Sequence, residues 1–297
     1  MNVTIENGLL SLTVDTKGAQ MLHLRSGDTE YLWQGDLKYW SDRAPHLFPF
    51  IGRLTGNSYR LRGTVYPMSI HGFAASSVFS VVDKSKDCLV MELTDSTETR
   101  KQYPFAFSLQ IIYRLVGCGV EITYRVENRS SETMPFGIGG HPGFRVPLVD
   151  GECFEDYSIT FSQPCQPDRV GFTPAVYLSS RDERYPLAED TRLDLHHRLF
   201  DEDAIILKNM AREVTLQSRK SGKGVRVTFP HMPYLGIWHW PKTDAPYVCI
   251  EPWSSLPSRQ DVVEDFYCKS DMIQLEPGHT YTNTWSITLI QEADSHD

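Results

Sequence analysis

The chain has 297 residues, 40% of them hydrophobic and 11% aromatic, with 29 Lys and Arg against 38 Asp and Glu for a formal charge of −9. That acidic balance lacks the clustered cations a phosphate backbone demands, which argues against nucleic acid as a partner. No apolar run approaches the ~20 residues of a membrane helix, and a length near 300 fits two domains or one large β domain.

The segment Met1 to Gly8 has neither the basic start nor the apolar stretch of a secretory signal. Cys88, Cys118, Cys153, Cys165, Cys249 and Cys268 are scattered, without paired zinc or redox spacing. A reducing cytoplasm is the expected location, so the sequons at Asn2 and Asn128 are discounted.

Val3 and Ile5 lead through Asn7-Gly8 to alternating Leu10, Leu12 and Val14, a first hairpin. Val78 to Val82 and Cys88 to Leu93 repeat that grammar. From Phe107 to Leu115 and from Val120 to Val126 apolar residues alternate with polar ones across a Gly117-Cys118-Gly119 turn, which predicts a long hairpin. Val149 to Arg198 is richer in Pro, Asp and Arg and reads as long loops or a meander over one sheet face. Strands follow at Val225 to Phe229, Tyr234 to Trp240, Tyr247 to Trp253 and Trp285 to Leu289, while Arg259 to Tyr267 reads as a stretch that can be helical. The period is two almost throughout, so the expectation is an all-β fold: a large, mainly antiparallel β-sandwich in a single domain over residues 1–297, with a frayed tail at 292–297.

The chain has no G-x-S-x-G elbow, phosphate loop or H-E-x-x-H helix. Its chemistry-bearing residues stand in Gly- and Pro-rich turns. His71 and His141 each lie close to Gly and Phe, which leaves room for a ligand beside an apolar wall; the competing reading is a capped turn histidine. Glu251 ends an apolar strand run before Pro252 and Trp253, where desolvation raises a carboxyl pKa and suits a general base. A rim glutamate is its alternative. Arg53 closes a Pro-interrupted apolar segment and reads either as an oriented donor to oxygens or as an ion-pair partner. Asp203, alone, is a turn acid. One or two of the six tryptophans are expected to line a site, and the others to pack.

Taken in order, Phe50-Ile51-Gly52-Arg53, Ile70-His71-Gly72-Phe73, Gly139-Gly140-His141-Pro142-Gly143-Phe144, the Asp203 segment and Ile250-Glu251-Pro252-Trp253 resemble the aldose 1-epimerase, or galactose mutarotase-like, family, and its compact bacterial subgroup in particular. The resemblance implies a β-supersandwich with its site on one concave sheet face. It also implies interconversion of the α and β anomers of a free aldose such as galactose or glucose. Glu251 matches the base at the C1 hydroxyl and His141 the acid at the ring oxygen. Arg53 and His71 match residues that hold sugar oxygens, and Asp203 a carboxylate on ring hydroxyls. The family needs neither metal nor organic cofactor. Ala204 departs from the family pattern, where a histidine usually follows the Asp.

The expected partner is a monosaccharide, and the expected assembly a monomer or homodimer. Alternatives are a non-catalytic sugar-binding or sensing protein on the same fold, a mutarotase for hexose 6-phosphates, and a polysaccharide lyase or hydrolase. A metal enzyme built on His196, His197, His231 or His239 is disfavoured, because adjacent histidines on a strand point to opposite faces. The ring-opening chemistry is expected to set the carboxylate and imidazole on opposite sides of the sugar, with a neighbouring carboxylate raising the His141 pKa.

Overall fold

In a computed structural model that describes residues 1–291, the alternating segments pair into antiparallel sheets; the tail 292–297 lies outside the described residues. The hairpin of Phe107–Val116 and Gly119–Asn128 forms with Val116 opposite Gly119, as its turn predicts. It sits within a nine-stranded sheet that also contains Cys88–Thr94, Gly224–Thr228 and Thr280–Ile290. An eight-stranded sheet runs from Glu183–Arg184 through Asp168–Arg169, Ile205–Lys208, Tyr234–Trp238 and Tyr247–Trp253 to Gly139–Gly140 and His46–Leu47, with Gly143–Arg145 also pairing to Tyr247–Trp253. A four-stranded sheet at the N-terminus begins with the expected Asn2–Glu6 and Ser11–Asp15 hairpin.

Alternation assigns each strand two faces. On the eight-stranded sheet, Ile205, Leu207, Leu235, Ile237, Val248 and Ile250 point into the main core. They meet Leu109, Ile111, Ile122, Val225, Val227 and Trp285 of the nine-stranded sheet in one continuous cluster. Each such side chain contributes roughly 1.5–3 kcal/mol by burial. The opposite face carries Ile206, Tyr247, Cys249, Glu251 and Trp253, which belong to smaller clusters or to none. This is the face that carries the candidate acid and base.

Two expectations change. Arg259 to Tyr267 is not helical: Glu264 takes both the backbone and the guanidinium of Arg259, and the segment bridges Arg60 through Asp265, which holds it in turns between isolated bridges. The α-helix among the described residues is Thr97–Gln102, capped by Ser96. Within Val149 to Arg198, loops do predominate, but Tyr157–Phe161 is a full strand of the nine-stranded sheet, paired to Glu213–Ser218.

A polar node ties the two large sheets together. The Tyr113 hydroxyl donates to the Ala19 carbonyl at 2.6 Å, so it must accept from His46 Nε2–H, leaving Nδ1 to accept from the Tyr124 hydroxyl at 2.8 Å. Every polar atom of the node is satisfied with His46 neutral, and burial lowers the His46 pKa to about 3. Because the folded value lies below the unfolded 6.5, this contribution is fully present above pH 6.5 and is lost as pH falls towards 3. Between pH 7 and pH 4.5 it amounts to about 2–3 kcal/mol. Urea unfolding of His46→Gln should therefore show a smaller loss between those two pH values than wild type by that amount, and an equal loss would mean that His46 takes up its proton in the fold.

Candidate active site

Gly139 stands opposite Trp253 and Gly143 opposite Cys249 in antiparallel register. His141 lies midway between these pairs and so falls opposite Glu251. Two further bonds fix it there: the His141 amide donates to the Pro45 carbonyl at 3.0 Å, and the Ile250 amide to the Pro142 carbonyl at 3.2 Å. His141 Nε2 comes to 3.2 Å from Glu251 Oε2. The two side chains thus sit side by side on one sheet face, rather than across a ligand from each other, because cross-strand neighbours project from the same side of the sheet.

Both groups are removed from water, with the Glu251 side chain 1% and the His141 side chain 11% exposed. Burial raises the Glu251 carboxyl well above its usual range, and the charge of Asp203 adds to that rise. Burial also takes His141 well below an ordinary imidazole, helped by the nearby His71. The expected rise of the His141 pKa is thereby overturned, since desolvation outweighs the attraction of a carboxyl that is itself held towards neutrality. His141 Nδ1 and Glu251 Oε2 have no hydrogen-bond partner in the protein although both atoms are buried. Such atoms cost free energy unless something binds to them.

His71 closes the site from another loop. Its amide donates to the Gly52 carbonyl and the Gly52 amide donates back to His71 Nδ1, both at 3.1 Å. The proton of neutral His71 is therefore on Nε2. Both loops need glycine here: Gly52 and Gly72 have φ of 76°, and a Cβ on Gly72 would lie 2.2 Å from the Phe48 carbonyl oxygen. The His71 ring is perpendicular to that of His141 with centroids 5.7 Å apart. Its pKa falls to about 4 through burial and then through the charge of Arg53. Arg53 is exposed next to that loop, with its carbonyl held by the Ser258 amide at 2.9 Å. Asp203 sits in the left-handed region at φ 77°, which Asp tolerates better than most residues, and its Oδ1 accepts the Ala204 amide at 2.8 Å. Its charge acts on Glu251, and it lines a neighbouring cleft whose lining includes neither Glu251 nor His141.

The aromatic surround is larger than expected. Trp40 lies against the His141 ring with centroids 4.8 Å apart, Trp238 meets the same ring edge-on at 5.6 Å, and Trp253 approaches His71 at 6.5 Å. Trp33 and Trp285 are buried, as packing residues should be. Cys249 was not singled out by sequence, yet its thiol, one His141 ring nitrogen and one Glu251 oxygen lie within 4.8 Å of one another. The i, i+2 spacing of Cys249 and Glu251 on a strand was the available signal. This trio offers N, S and O donors to a soft cation, and such an ion would occupy the lone pairs that carry the proton. Of the other histidines, His197 pairs with His239 at 3.1 Å, while the adjacent His196 points elsewhere.

Gly140 is the tightest point beneath His141, because a Cβ there would lie 2.6 Å from Cζ2 of Trp285, whose side chain is 1% exposed and has nowhere to move. Gly140→Ala should cost about 1–3 kcal/mol by overpacking. Denaturant unfolding measures it, and unchanged stability would contradict the packing described.

The family profile described as aldose 1-epimerase matches residues 1–288. The chain is similar to the chromosomal protein LacX of Lactococcus lactis, with 33% identity over 98% of this chain and 100% of that one. Among solved structures, a galactose mutarotase related enzyme from Lactobacillus acidophilus superposes with a TM-score of 0.94 at 34% identity over 100% of both chains. A galactose mutarotase-like protein from Lactobacillus casei superposes with a TM-score of 0.91 at 33% identity, covering 98% of this chain and 100% of that one. On sequence, register and fold alike, the chain belongs to the aldose 1-epimerase family.

Proposed function

We propose that this protein interconverts the α and β anomers of a free aldose, a hexose such as galactose or glucose, with Glu251 and His141 moving the protons. The observation that carries this reading is the buried 3.2 Å contact between His141 Nε2 and Glu251 Oε2 on the sheet face opposite the main core. In a cyclic aldose the anomeric hydroxyl oxygen and the ring oxygen share one carbon, so the groups that serve them must themselves be neighbours. A side-by-side pair meets that demand better than two groups on opposite sides.

Glu251 as carboxylate takes the proton of the C1 hydroxyl while the C1–O1 bond becomes a carbonyl. The C1–O5 bond breaks, and its electron pair on O5 takes the proton of His141. The aldehyde rotates about C1–C2 and recloses on its other face, with both protons returned. Ring opening thus converts a carboxylate and an imidazolium into a neutral acid and a neutral imidazole, the forms that burial favours. Each transfer contributes about 10²–10⁴-fold. Arg53, His71 Nε2–H and Asp203 supply donors and an acceptor for the remaining sugar oxygens, and Trp40, Trp238 and Trp253 supply apolar faces for the ring. In this reading the ligand for the site is a sugar, without metal or organic cofactor. Six free cysteines, two of them exposed, favour a reducing cytoplasm as its location.

Glu251→Gln and His141→Asn should each lower the polarimetric rate with freshly dissolved α-glucose or α-galactose by at least a hundredfold, and Arg53→Ala should mainly raise KM. Near-normal anomerisation by Glu251→Gln would end the assignment.

The pH profile follows from the two directions of shift. The active pair holds one proton in total. Free carboxyl and imidazole groups would confine that state to between about pH 4.3 and 6.5. A raised carboxyl moves the loss of the Glu251 proton to higher pH, and a lowered imidazole moves the gain of the His141 proton to lower pH. The limbs of the kcat/KM profile should therefore be displaced from those of free groups; a bell with limbs at the free carboxyl and imidazole values would refute it. The limbs belong to the coupled pair.

A further inference from the structure

Cys249 takes no part in the proton transfers proposed above, yet the register that sets His141 opposite Glu251 also sets the thiol beside them. Cys249 pairs with Gly143 on one side and with Trp238 on the other, and Glu251 follows it by two residues on the same strand. Side chains two apart on a strand share a face, so thiol, imidazole and carboxyl all project from the side away from the main core. The thiol, one His141 ring nitrogen and one Glu251 oxygen lie within 4.8 Å of one another, and no other three His, Cys, Asp or Glu side chains among the described residues converge in this way. Glu251 Oε2 is buried without a hydrogen-bond partner in the protein and stands 3.2 Å from His141 Nε2.

A tetrahedral cation binds nitrogen and oxygen at about 2.0–2.2 Å and sulfur at about 2.3 Å, which puts nitrogen and oxygen about 3.3 Å apart and sulfur about 3.6 Å from either. The spacing of His141 and Glu251 already matches, and from the 4.8 Å limit the thiol has to close by at most about 1.2 Å. The donor set also selects the ion. One carboxyl oxygen, one imidazole and one thiolate suit zinc or cadmium, whereas magnesium and calcium seek six or more oxygens. Charge favours the same class, since a dication with a thiolate and a carboxylate sums to zero and buries no net charge. The negative charge of Asp203, which acts on Glu251, adds to the attraction. Burial keeps the Cys249 thiol protonated in the free protein, so binding releases that proton to solvent. Three protein ligands leave the fourth position of the tetrahedron to a water or a sugar hydroxyl.

We propose that a soft or borderline divalent cation, zinc or cadmium, binds to Cys249, His141 and Glu251 and switches the enzyme off; the loss of activity rests on the anomerase reading above, and the binding does not. The cation is an inhibitor here rather than a cofactor. It occupies the imidazole and carboxylate lone pairs, so neither group can carry a proton, and a chelator that withdraws it frees both.

The test titrates reduced, chelator-treated protein with zinc, cadmium and magnesium chlorides by calorimetry, with polarimetry of freshly dissolved α-glucose and α-galactose in parallel. Zinc should bind and at saturation nearly abolish the rate, chelator should restore it, and magnesium should leave it unchanged. Cadmium should bring up the ultraviolet charge-transfer band of a metal thiolate. Cys249→Ala keeps both proton carriers and should anomerise near-normally without metal, but lose that band and bind zinc at least about tenfold more weakly, since even the outer partners of metal ligands are worth about 10–100-fold. Cys249→Ser serves the same purpose should the alanine variant not fold. Replacing the two exposed thiols, Cys153 and Cys268, by Ser should preserve band and inhibition. Zinc that does not inhibit an active wild-type protein would overturn the inference and leave the proposed activity standing. Inhibition unaltered without the Cys249 thiol, or equal inhibition by magnesium, would overturn it too. If no sugar is anomerised, the activity fails, and the difference in cadmium band and zinc affinity between wild type and Cys249→Ala still decides whether the trio holds a cation.

Discussion

Everything in the site depends on one stretch of antiparallel ladder, where the glycine-flanked His141 turn lies against the Tyr247–Trp253 strand in the register that pairs Gly139 with Trp253 and Gly143 with Cys249. That register is a local matter of backbone hydrogen bonds, but a one-residue slip would turn Glu251 into the hydrophobic core and bring Ile250 to the surface. The core therefore enforces the site. Val248 and Ile250 are buried on one face of the same strand whose other face carries the carboxyl, so the free energy of burying them also holds Glu251 in place.

Holding a carboxyl and an imidazole out of water is costly, and the structure meets that cost unevenly. At the His46 node every polar atom has a partner, and the result is a rigid neutral clamp between two sheets. At His141 and Glu251 the partners are left incomplete, with one buried atom of each unsatisfied. The two arrangements lie close together in space, since the carbonyl of Pro45, the residue before His46, anchors the His141 amide. A fully bonded clamp thus supports a pair with unfilled hydrogen-bonding capacity, which is where ligand oxygens have most to gain.

Close approach explains the glycines of the motifs. Gly52 leaves room for Pro257, Gly72 for the Phe48 carbonyl, and Gly140 for Trp285. Each lies within a residue of Arg53, His71 or His141, so these side chains are delivered by backbone that packs closer than any Cβ permits. The aromatic rings on the other side of the histidines complete a wall that is stiff because its members pack on one another, as Trp40 does on Trp238 and Tyr247.

The sequence by itself determined the all-β class, because alternation of apolar and polar residues is written into neighbouring positions and survives any tertiary arrangement. It determined the long hairpin almost to the residue, since Gly117 and Gly119 mark its turn. It also marked Arg53, His71, His141 and Glu251 as candidates through their Gly, Pro and aromatic neighbours, whereas Asp203 became one only through the family resemblance. Arg259 to Tyr267 was misread because an ion pair and a bridge to Arg60, both long-range or side-chain effects, override local preference there. What only the tertiary structure decided was how those five residues stand to one another: that His141 and Glu251 are adjacent, that burial pushes their pKa values in opposite directions, and that Trp40, Trp238 and Cys249 close round them. Those properties depend on distance and solvent exclusion between segments up to about 200 residues apart in sequence, and no periodicity along a single strand encodes either.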